Sequence, residues 1–404
     1  MTWYYYTALL IVLPQLLFVL QVYNNYRYVL SKSKRRRTGY RPRTVFFVPC
    51  KGLDSNFQRN VKSFFDQDYE NYLLWFVVGD KSDPAYDELC RLKEQLSSTS
   101  KAQDVQILVA GQGQFCSQKV HNLLYCYQRI GDDVEVMAFA DSDICIRSDW
   151  LSHIVYPLRQ AKTGASSGYR WFVPRKNNLA SLALSAVNAK VAQLLGNTRF
   201  NQAWGGSMAI RVEVFRKLGL DKIWPKALSD DLSLSRAVKK AGLKVVFVPA
   251  CLVASHEETT WPKLFEFGRR QLLITRVNYP KTWWIGFFSV FYTVLGLWGT
   301  AAMAVYAVTT GKGNPAFFIA VPVVFFVSQM VRAILRQKMI VQLLQEESGK
   351  LKATRMADIV FFWAWSLLFL AFIISSTIGR TITWRRIRYK LVGPNKTIVV
   401  GREG

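Results

Sequence analysis

The sequence Met-Ala-Phe-Ala-Asp-Ser-Asp, at positions 137–143, ends a short apolar run in two carboxylates that are one residue apart. The small and β-compatible side chains before Asp141 are typical of a buried strand in a parallel sheet. In open α/β sheets, ligands bind just beyond the carboxyl ends of the strands. Asp141 and Asp143 are therefore candidate ligands for a Mg²⁺ or Mn²⁺ ion that holds a diphosphate. The alternative is an Asx turn after the strand, with Asp149 capping the next helix.

The composition indicates a membrane protein. Half of the 404 residues are hydrophobic, and 53 basic against 27 acidic residues give a net charge of +26. Such a charge suits nucleic acid, an anionic membrane surface or a phosphorylated ligand. Four apolar segments, at residues 3–23, 283–309, 315–331 and 357–378, have about the length of a bilayer crossing. We therefore predict an integral membrane protein with no nucleic-acid partner, whose charge serves lipid and nucleotide chemistry.

The first apolar segment predicts a retained transmembrane anchor over residues 1–25, because no small-residue cleavage site follows it. A basic juxtamembrane linker follows over residues 26–43 and contains no acidic residue. By the positive-inside rule, the linker and the domain after it face the cytoplasm. A linker that is merely solvated leaves this orientation unchanged. The basic residues are Arg27, Lys32, Lys34, Arg35, Arg36, Arg37, Arg41 and Arg43.

Charge and segment count disagree in the C-terminal part of the chain. Membrane helices are predicted within residues 283–378, and both the loop 332–356 and the tail 379–404 are basic, which favours the cytoplasm for both. Three full crossings from a cytoplasmic domain would leave the tail on the outside. Either one segment is re-entrant or interfacial, or the charge of the tail does not set its side.

Residues 44–258 predict a soluble α/β domain. Strands expected at Thr44–Pro49, Leu73–Val78 and Val105–Ala110 alternate with helical patterns, as in a doubly wound parallel sheet. The second half is less regular. There, Gly205 and Gly206 precede a further strand, which suits either the close approach of a ligand or a tight turn.

An acidic pair, Asp230 and Asp231, opens a later helix of this domain. Acidic residues at a helix N-terminus cap it and complement its dipole, and that reading accounts for one carboxylate. The second carboxylate, at the mouth of the sheet, is a candidate general base.

Residues 259–282 form a basic and amphipathic stretch directly before the next apolar segment. We predict an interfacial helix with its apolar face in lipid and its arginines toward phosphates. A membrane-surface anchor without a substrate role is the alternative.

The cysteines and histidines are few and scattered. The six cysteines form no C-x-x-C pair, and with only three histidines neither a structural zinc site nor a histidine-based triad is expected. The thiols are expected to be reduced and mostly buried in a domain that faces the cytosol.

Six segments, taken in order, carry a resemblance to a known family. They are Pro49-Cys50-Lys51-Gly52-Leu53-Asp54, Asp80, Lys119-Val120-His121-Asn122-Leu123, Asp141-Ser142-Asp143-Ile144, Asp231 within Ser229-Asp230-Asp231, and Thr381-Ile382-Thr383-Trp384-Arg385 continuing to Arg388-Tyr389-Lys390-Leu391. The ordered set resembles the ceramide glucosyltransferases, or a close bacterial relative acting on another lipid, within the inverting family-2-like nucleotide-sugar glycosyltransferases. It covers nearly the whole chain, membrane flanks included. One motif departs: where the family has R/Q-x-x-R-W, this chain reads Gly268-Arg269-Arg270-Gln271-Leu272.

The resemblance implies a GT-A fold with α-helical transmembrane segments. It implies a UDP-sugar donor, a divalent cation (Mg²⁺ or Mn²⁺) and a membrane lipid as acceptor of a hexose, glucose in the first place. Asp141 and Asp143 would hold the cation, and Asp231 would be the catalytic base. The further donor contacts implied are Asp80, Lys119, Asp141, Asp230, Arg270 and Gln271.

Two other functions fit parts of the pattern. A processive polysaccharide synthase shares the acidic motifs and the basic interfacial helix, but the altered Arg-Trp motif and the few membrane helices argue against a polymer channel. A catalytically inactive membrane scaffold or nucleotide-sugar sensor would not need all three acidic motifs.

Overall fold

The computed structural model describes residues 2–33, 37, 39–54, 56–394 and 396–402. Lys34, Arg35 and Arg36 of the predicted linker lie outside this part of the chain. An α/β domain is joined to long apolar helices and to a small C-terminal sheet. The strands are β1 Thr44–Pro49, β2 Tyr72–Val78, β3 Asp104–Val109, β4 Val136–Ala140, β5 Thr163–Pro174, β6 Ser207–Arg211, β7 Lys244–Glu257, β8 Thr381–Trp384, β9 Ile387–Gly393 and β10 Lys396–Arg402.

The helices alternate with strands in the domain and follow one another after it. They are α1 Thr2–Ser33, α2 Phe57–Phe65, α3 Pro84–Leu96, α4 Gln118–Tyr127, α5 Trp150–Val155, α6 Leu179–Ala192, α7 Val212–Lys217, α8 Leu220–Ile223, α9 Asp230–Lys240, α10 Trp261–Asn278, α11 Pro280–Thr310, α12 Pro315–Leu343, α13 Lys352–Val360 and α14 Phe362–Ser375. Short 3₁₀ helices lie at Tyr156–Arg159, Trp224–Lys226 and Gln345–Glu347.

The domain is built on a seven-stranded sheet in the order β3-β2-β1-β4-β6-β5-β7. Strands β1 to β4 are parallel, as the alternating pattern predicts. The prediction of a wholly parallel sheet is wrong, because β6 runs antiparallel to both β4 and β5. The reversal pairs Ser207, which begins β6, with Ala140, which ends β4. It therefore brings the loop before β6 to the carboxyl end of β4.

Aromatic side chains cover both faces of the sheet. On one face Phe46 stacks on Trp150, with ring centroids 5.0 Å apart, and on the other Phe47 meets Phe139 at 5.7 Å. All four are fully or almost fully buried. Because side chains alternate along a strand, burial on both faces makes β1 almost continuously apolar. Each such side chain contributes about 1.5–3 kcal/mol when buried, so this layer holds the carboxyl edge of the sheet rigidly.

Among the described residues, three helices are long and apolar enough to cross a membrane: α1 (from Trp3), α11 and α12. The apolar stretch predicted at residues 357–378 is not one straight helix, because the chain bends by 83° between α13 and α14, as in a broken span or a re-entrant loop. At 14 residues, α14 measures about 21 Å and is shorter than a bilayer core of about 30 Å.

The C-terminal residues form an antiparallel sheet, β8 to β10, that packs on α10 and on the α/β domain. The Gln118 amide donates to the Tyr389 hydroxyl at 3.3 Å. Lys51 Nζ donates to the Arg385 carbonyl at 2.8 Å. The tail therefore lies on the same side of α11 and α12 as the domain, and this placement favours the re-entrant alternative for the bent pair.

Candidate functional site

Lys119, Asp141 and Asp230 form the buried centre of the site at the carboxyl edge of the sheet. Lys119 lies in the first turn of α4, where the Ser117 hydroxyl accepts from the Val120 amide. Its Nζ atom is 2.6 Å from Asp141 Oδ1 and 3.2 Å from Asp230 Oδ2. The end of β4 and the start of α9 thus meet at one ammonium group.

Burial and mutual repulsion set the protonation of this centre. Burial would lower the pKa of Lys119, but Asp141 and Asp230 overcome it and raise the pKa. The pKa of Asp230 rises to about 6, first because of burial, which the nearby Lys119 opposes and Asp231 and Asp141 reinforce. The side chain of Asp230 is only 5% exposed. Burial thus raises the pKa of Asp230 in spite of Lys119, whereas at Asp141 the charges of Lys119 and Arg170 outweigh burial and lower the pKa.

Asp143 keeps a free oxygen. Arg170, from β5, lies 3.3 Å from Asp141 Oδ2 and 3.9 Å from Asp143 Oδ2. Asp143 Oδ1 is buried and accepts no hydrogen bond from the described residues. Burial raises the pKa of Asp143, although Arg170 opposes this. Asp143 also lines a pocket of about 200 Å³ together with Asp54 and Glu257.

Two glycines bring the backbone against these carboxylates. A methyl group on Gly205 would overlap the Asp230 carboxylate, and one on Gly206 would lie 2.6 Å from Asp141 Oδ2. The Ser207 amide donates to the Trp204 carbonyl at 2.9 Å and closes a tight turn around the pair. The prediction of a tight turn is therefore confirmed, and the closest neighbours of both glycines are side chains of the site.

Asp231 is fixed at the start of α9. Its Oδ2 accepts from the Gly205 amide at 2.9 Å, and its Oδ1 accepts from the Leu232 amide at 2.7 Å and from the Ser229 hydroxyl. Ser229 is the N-cap, because its hydroxyl also accepts from the Leu232 amide. The Ser229 hydroxyl therefore provides the N-cap, and both acidic residues lie in the first turn of the helix, where the Asp231 carboxylate also accepts from a backbone amide.

The remaining predicted residues lie nearer the rim. Asp80 is exposed and accepts from the amide and the hydroxyl of Ser82 at 2.9 Å each, and these bonds lower its pKa. Arg270 donates to the Thr383 carbonyl at 3.3 Å. Gln271 is exposed on α10, and within the described residues no contact joins its side chain to the carboxylates.

Arg170 and Arg385 were not among the residues predicted for the site. Arg170 is the one charged residue in the otherwise uncharged strand β5, and its guanidinium lies 4.6 Å from the centre of the Trp204 ring. A lone charge in a buried strand is a usable signal, because arginine is almost never buried unless paired. Arg385 lies 3.5 Å from Asp54, a contact that links distant parts of the chain and has no local signature.

Among the described residues, no group of three or more His, Cys, Asp or Glu side chains is arranged to hold a metal ion. Mg²⁺ is commonly bound by one or two carboxylates and completed by substrate phosphates. The unpartnered oxygen of Asp143 beside Asp141 fits that mode of binding.

Comparison with known proteins identifies one matching family and two similar solved structures. The family model of glycosyl transferase family 21 matches residues 7–397. Among solved structures, the chain is similar to a mannosyltransferase from Pyrobaculum calidifontis in complex with GDP-mannose and Mn²⁺, at 14% identity and a TM-score of 0.48, over 92% of this chain and 96% of that one. It is also similar to GalNAc-T7 with UDP, GalNAc and Mn²⁺, at 12% identity and a TM-score of 0.37, over 59% and 49% of the two chains.

The family match includes both the α/β domain, which has the GT-A fold, and the apolar helices that follow it. The ordered motifs, the carboxylates gathered at one sheet edge and this match over nearly the whole length agree with one another. The chain belongs to glycosyl transferase family 21.

Proposed function

We propose that this glycosyltransferase moves a hexose, glucose in the first place, from a UDP-sugar to the hydroxyl group of a membrane lipid, with inversion at the anomeric carbon. A ceramide-like lipid is the first candidate acceptor. The observation that carries the proposal is the meeting of Lys119, Asp141, Asp143, Asp230 and Asp231 at one sheet edge. The C-terminal sheet, β8 to β10, borders this edge and packs on α10. Helix α10 leads directly into the apolar helix α11.

The donor diphosphate would lie between the carboxylate pair and the basic side chains. Lys119 and Arg170 are already at the carboxylates, and Arg270 approaches from α10. Asp143, with Asp141, would hold a divalent cation, which when bound would neutralise charge on the departing nucleotide. Arg170 would fix the two carboxylates in place and exclude water from between them.

Asp231 would be the general base. Its two oxygens are oriented by the Gly205 and Leu232 amides. It would take the proton of the acceptor hydroxyl as that oxygen attacks from the face opposite the nucleotide, which inverts the configuration. Such assistance is typically worth about 10²–10⁴ in rate. Asp230 is less suited to this role because Lys119 already occupies it.

An apolar groove supports a lipid acceptor. It has a volume of about 610 Å³ and lies between α10 and α14, with Trp261, Phe265, Leu368 and Phe372 among its walls. Gly268 lets α14 approach α10, since a methyl group there would overlap the Phe372 ring. We assign the groove to an acyl chain of the acceptor. One face of α10 lines the groove, and another face of the same helix presents Arg270. The positive-inside rule puts this surface at the cytoplasmic leaflet.

The direct test is transfer of labelled sugar by the full-length protein in membranes. Membranes with and without the protein would be incubated with UDP-glucose, UDP-galactose or GDP-mannose, and the labelled lipid identified by mass spectrometry. We expect one sugar per lipid from a UDP-sugar. A ladder of products, or label released only as free sugar, would contradict the proposal.

A further inference from the structure

The turn between β8 and β9 has a backbone conformation that arginine rarely adopts. Its two central residues, Arg385 and Arg386, have φ angles of 50° and 63°, and Trp384 pairs with Ile387 on either side of them. A two-residue hairpin with positive φ at both positions is usually made by Asn-Gly or Asp-Gly. Turn geometry therefore does not account for the two arginines, and strained residues of this kind cluster at functional sites.

The turn is held against the loop that follows β1. Lys51 Nζ donates to the Arg385 carbonyl at 2.8 Å, and Arg385 Nη1 lies 3.5 Å from Asp54 Oδ1. Burial opposes the charge of Arg385, but Asp54, Asp143 and Asp141 outweigh burial and raise its pKa. The guanidinium thus lies within the electrostatic reach of the predicted metal and donor carboxylates, although it belongs to a separate sheet.

Three arginines from three parts of the fold converge here. Arg170 comes from β5, Arg270 from α10 and Arg385 from the hairpin. Burial lowers the pKa of Arg270, Glu266 opposes this, and the like charges of Arg385 and Arg170 lower the pKa further. An anion placed between them would relieve that repulsion. The planar fork of a guanidinium matches phosphate oxygens in pairs.

We infer that Arg385 binds the diphosphate of the sugar donor, and that the C-terminal hairpin supplies it to the edge of the GT-A sheet. This inference rests on the proposed function. The separation of 3.5 Å from Asp54 and the 45% exposure of the side chain leave Arg385 free to turn toward a phosphate. The hairpin thereby provides a second guanidinium beside Arg270. On α10, Gln271 occupies the position at which the family motif has an arginine.

The test compares binding of UDP and of uridine by the purified full-length protein at constant ionic strength. The variant is Arg385→Asn, because asparagine tolerates positive φ and removes the guanidinium. The control is Arg388→Asn, which removes an exposed arginine from β9 of the same hairpin. We expect Arg385→Asn to weaken UDP about 10- to 100-fold and to leave uridine unchanged. We expect its thermal midpoint to equal or exceed that of the wild type, and Arg388→Asn to change UDP binding by less than about 2-fold.

Each other outcome overturns the inference. Unchanged UDP binding by Arg385→Asn, while the wild type binds UDP, would show that the hairpin plays no part at the diphosphate. A lower thermal midpoint with equal losses for UDP and uridine would show a purely structural residue. A wild-type protein that binds neither UDP nor GDP would remove the proposed function, and this inference with it.

Discussion

This molecule has two buried groups of charged side chains, and they differ in how many of their carboxylate oxygens are bound. Near the membrane helices, Arg336 of α12 donates to both oxygens of Asp358 at 2.6 and 2.5 Å, and Gln337 adds a third bond at 2.7 Å. Arg336 and Asp358 are 2% and 0% exposed. At the sheet edge, Lys119 is shared by two carboxylates, and Asp143 Oδ1 accepts no hydrogen bond from the described residues.

The difference separates a structural group from a chemical one. A buried ion pair in which both carboxylate oxygens are bound by the guanidinium holds elements together and has little capacity for a ligand. A group with an unpartnered oxygen is costly unless something else binds there. The pair Arg336–Asp358 therefore joins α12 to α13, and the carboxylates at the sheet edge are the ones that we propose for donor, cation and acceptor. Four substitutions test this contrast.

The largest effect is expected at the candidate base. Asp231→Asn should reduce the rate of transfer by about 10²–10⁴-fold, because the amide cannot take a proton, while UDP binding stays near the wild-type value. The rate would be measured with saturating labelled donor, and folding checked by thermal unfolding. Substantial transfer by a well-folded Asp231→Asn protein would remove Asp231 from that role.

The next effect is on stability and falls on the complete pair. Asp358→Asn should destabilise the protein by about 3–5 kcal/mol, because Arg336 would stay buried without its counter-charge. Thermal unfolding in detergent would measure this loss. The matched control is Glu88→Gln, which breaks the more exposed pair with Arg91 and should cost less than about 1 kcal/mol. Equal losses in the two variants would contradict the contrast.

A pH-dependent effect is expected at Asp230. Its folded-state pKa of about 6 exceeds the ordinary 3.8, so folding favours the protonated form and stability falls as the pH rises from about 4 to 6. Asp230→Asn should remove this slope, so that its stability relative to the wild type increases from pH 4 to pH 7. Unfolding at pH 4, 5, 6 and 7 would reveal it. Parallel pH profiles of stability for the two proteins would show that folding does not raise the pKa of Asp230.

The smallest effect is expected at the free oxygen. Chelation should abolish transfer, and Mn²⁺ or Mg²⁺ should restore it. Asp143→Asn should then raise the cation concentration needed for half-maximal rate by about 10-fold, because a neutral amide is a weaker ligand than a carboxylate. Titration of the chelated protein with Mn²⁺ would give both values. Full activity after thorough chelation would remove the cation from the proposal.

Sequence patterns correctly predicted those helices and strands that are determined by residues close together in the chain. The apolar run before Asp141 predicted β4 with its burial on both faces, and the predicted β1 matches the structure at Thr44–Pro49. The basic amphipathic stretch predicted α10 to within a few residues. Hydrophobic periodicity and composition are sufficient to predict such elements, because the polarity of each residue indicates whether it is buried.

What the sequence missed depends on contacts between distant residues. The antiparallel β6 and the approach of Arg170 to Asp141 arise from sheet topology, which no short window contains. Hydropathy predicted one helix over residues 357–378 because it averages over Asp358. That carboxylate is bound to Arg336, while Lys190 donates to the Phe362 carbonyl at 3.2 Å just beyond the break. Polar partners contributed by other helices thus decide where the apolar run bends.

The hairpin of β8 and β9 has a consequence for biosynthesis. The ribosome produces the GT-A carboxylates first, then α10 to α14, and only afterwards the strands that rest on Gln118 and Lys51. One wall of the cleft is therefore added only when the hydrophobic helices have already left the ribosome. The cleft therefore stays without this wall until the strands of the hairpin have been synthesised.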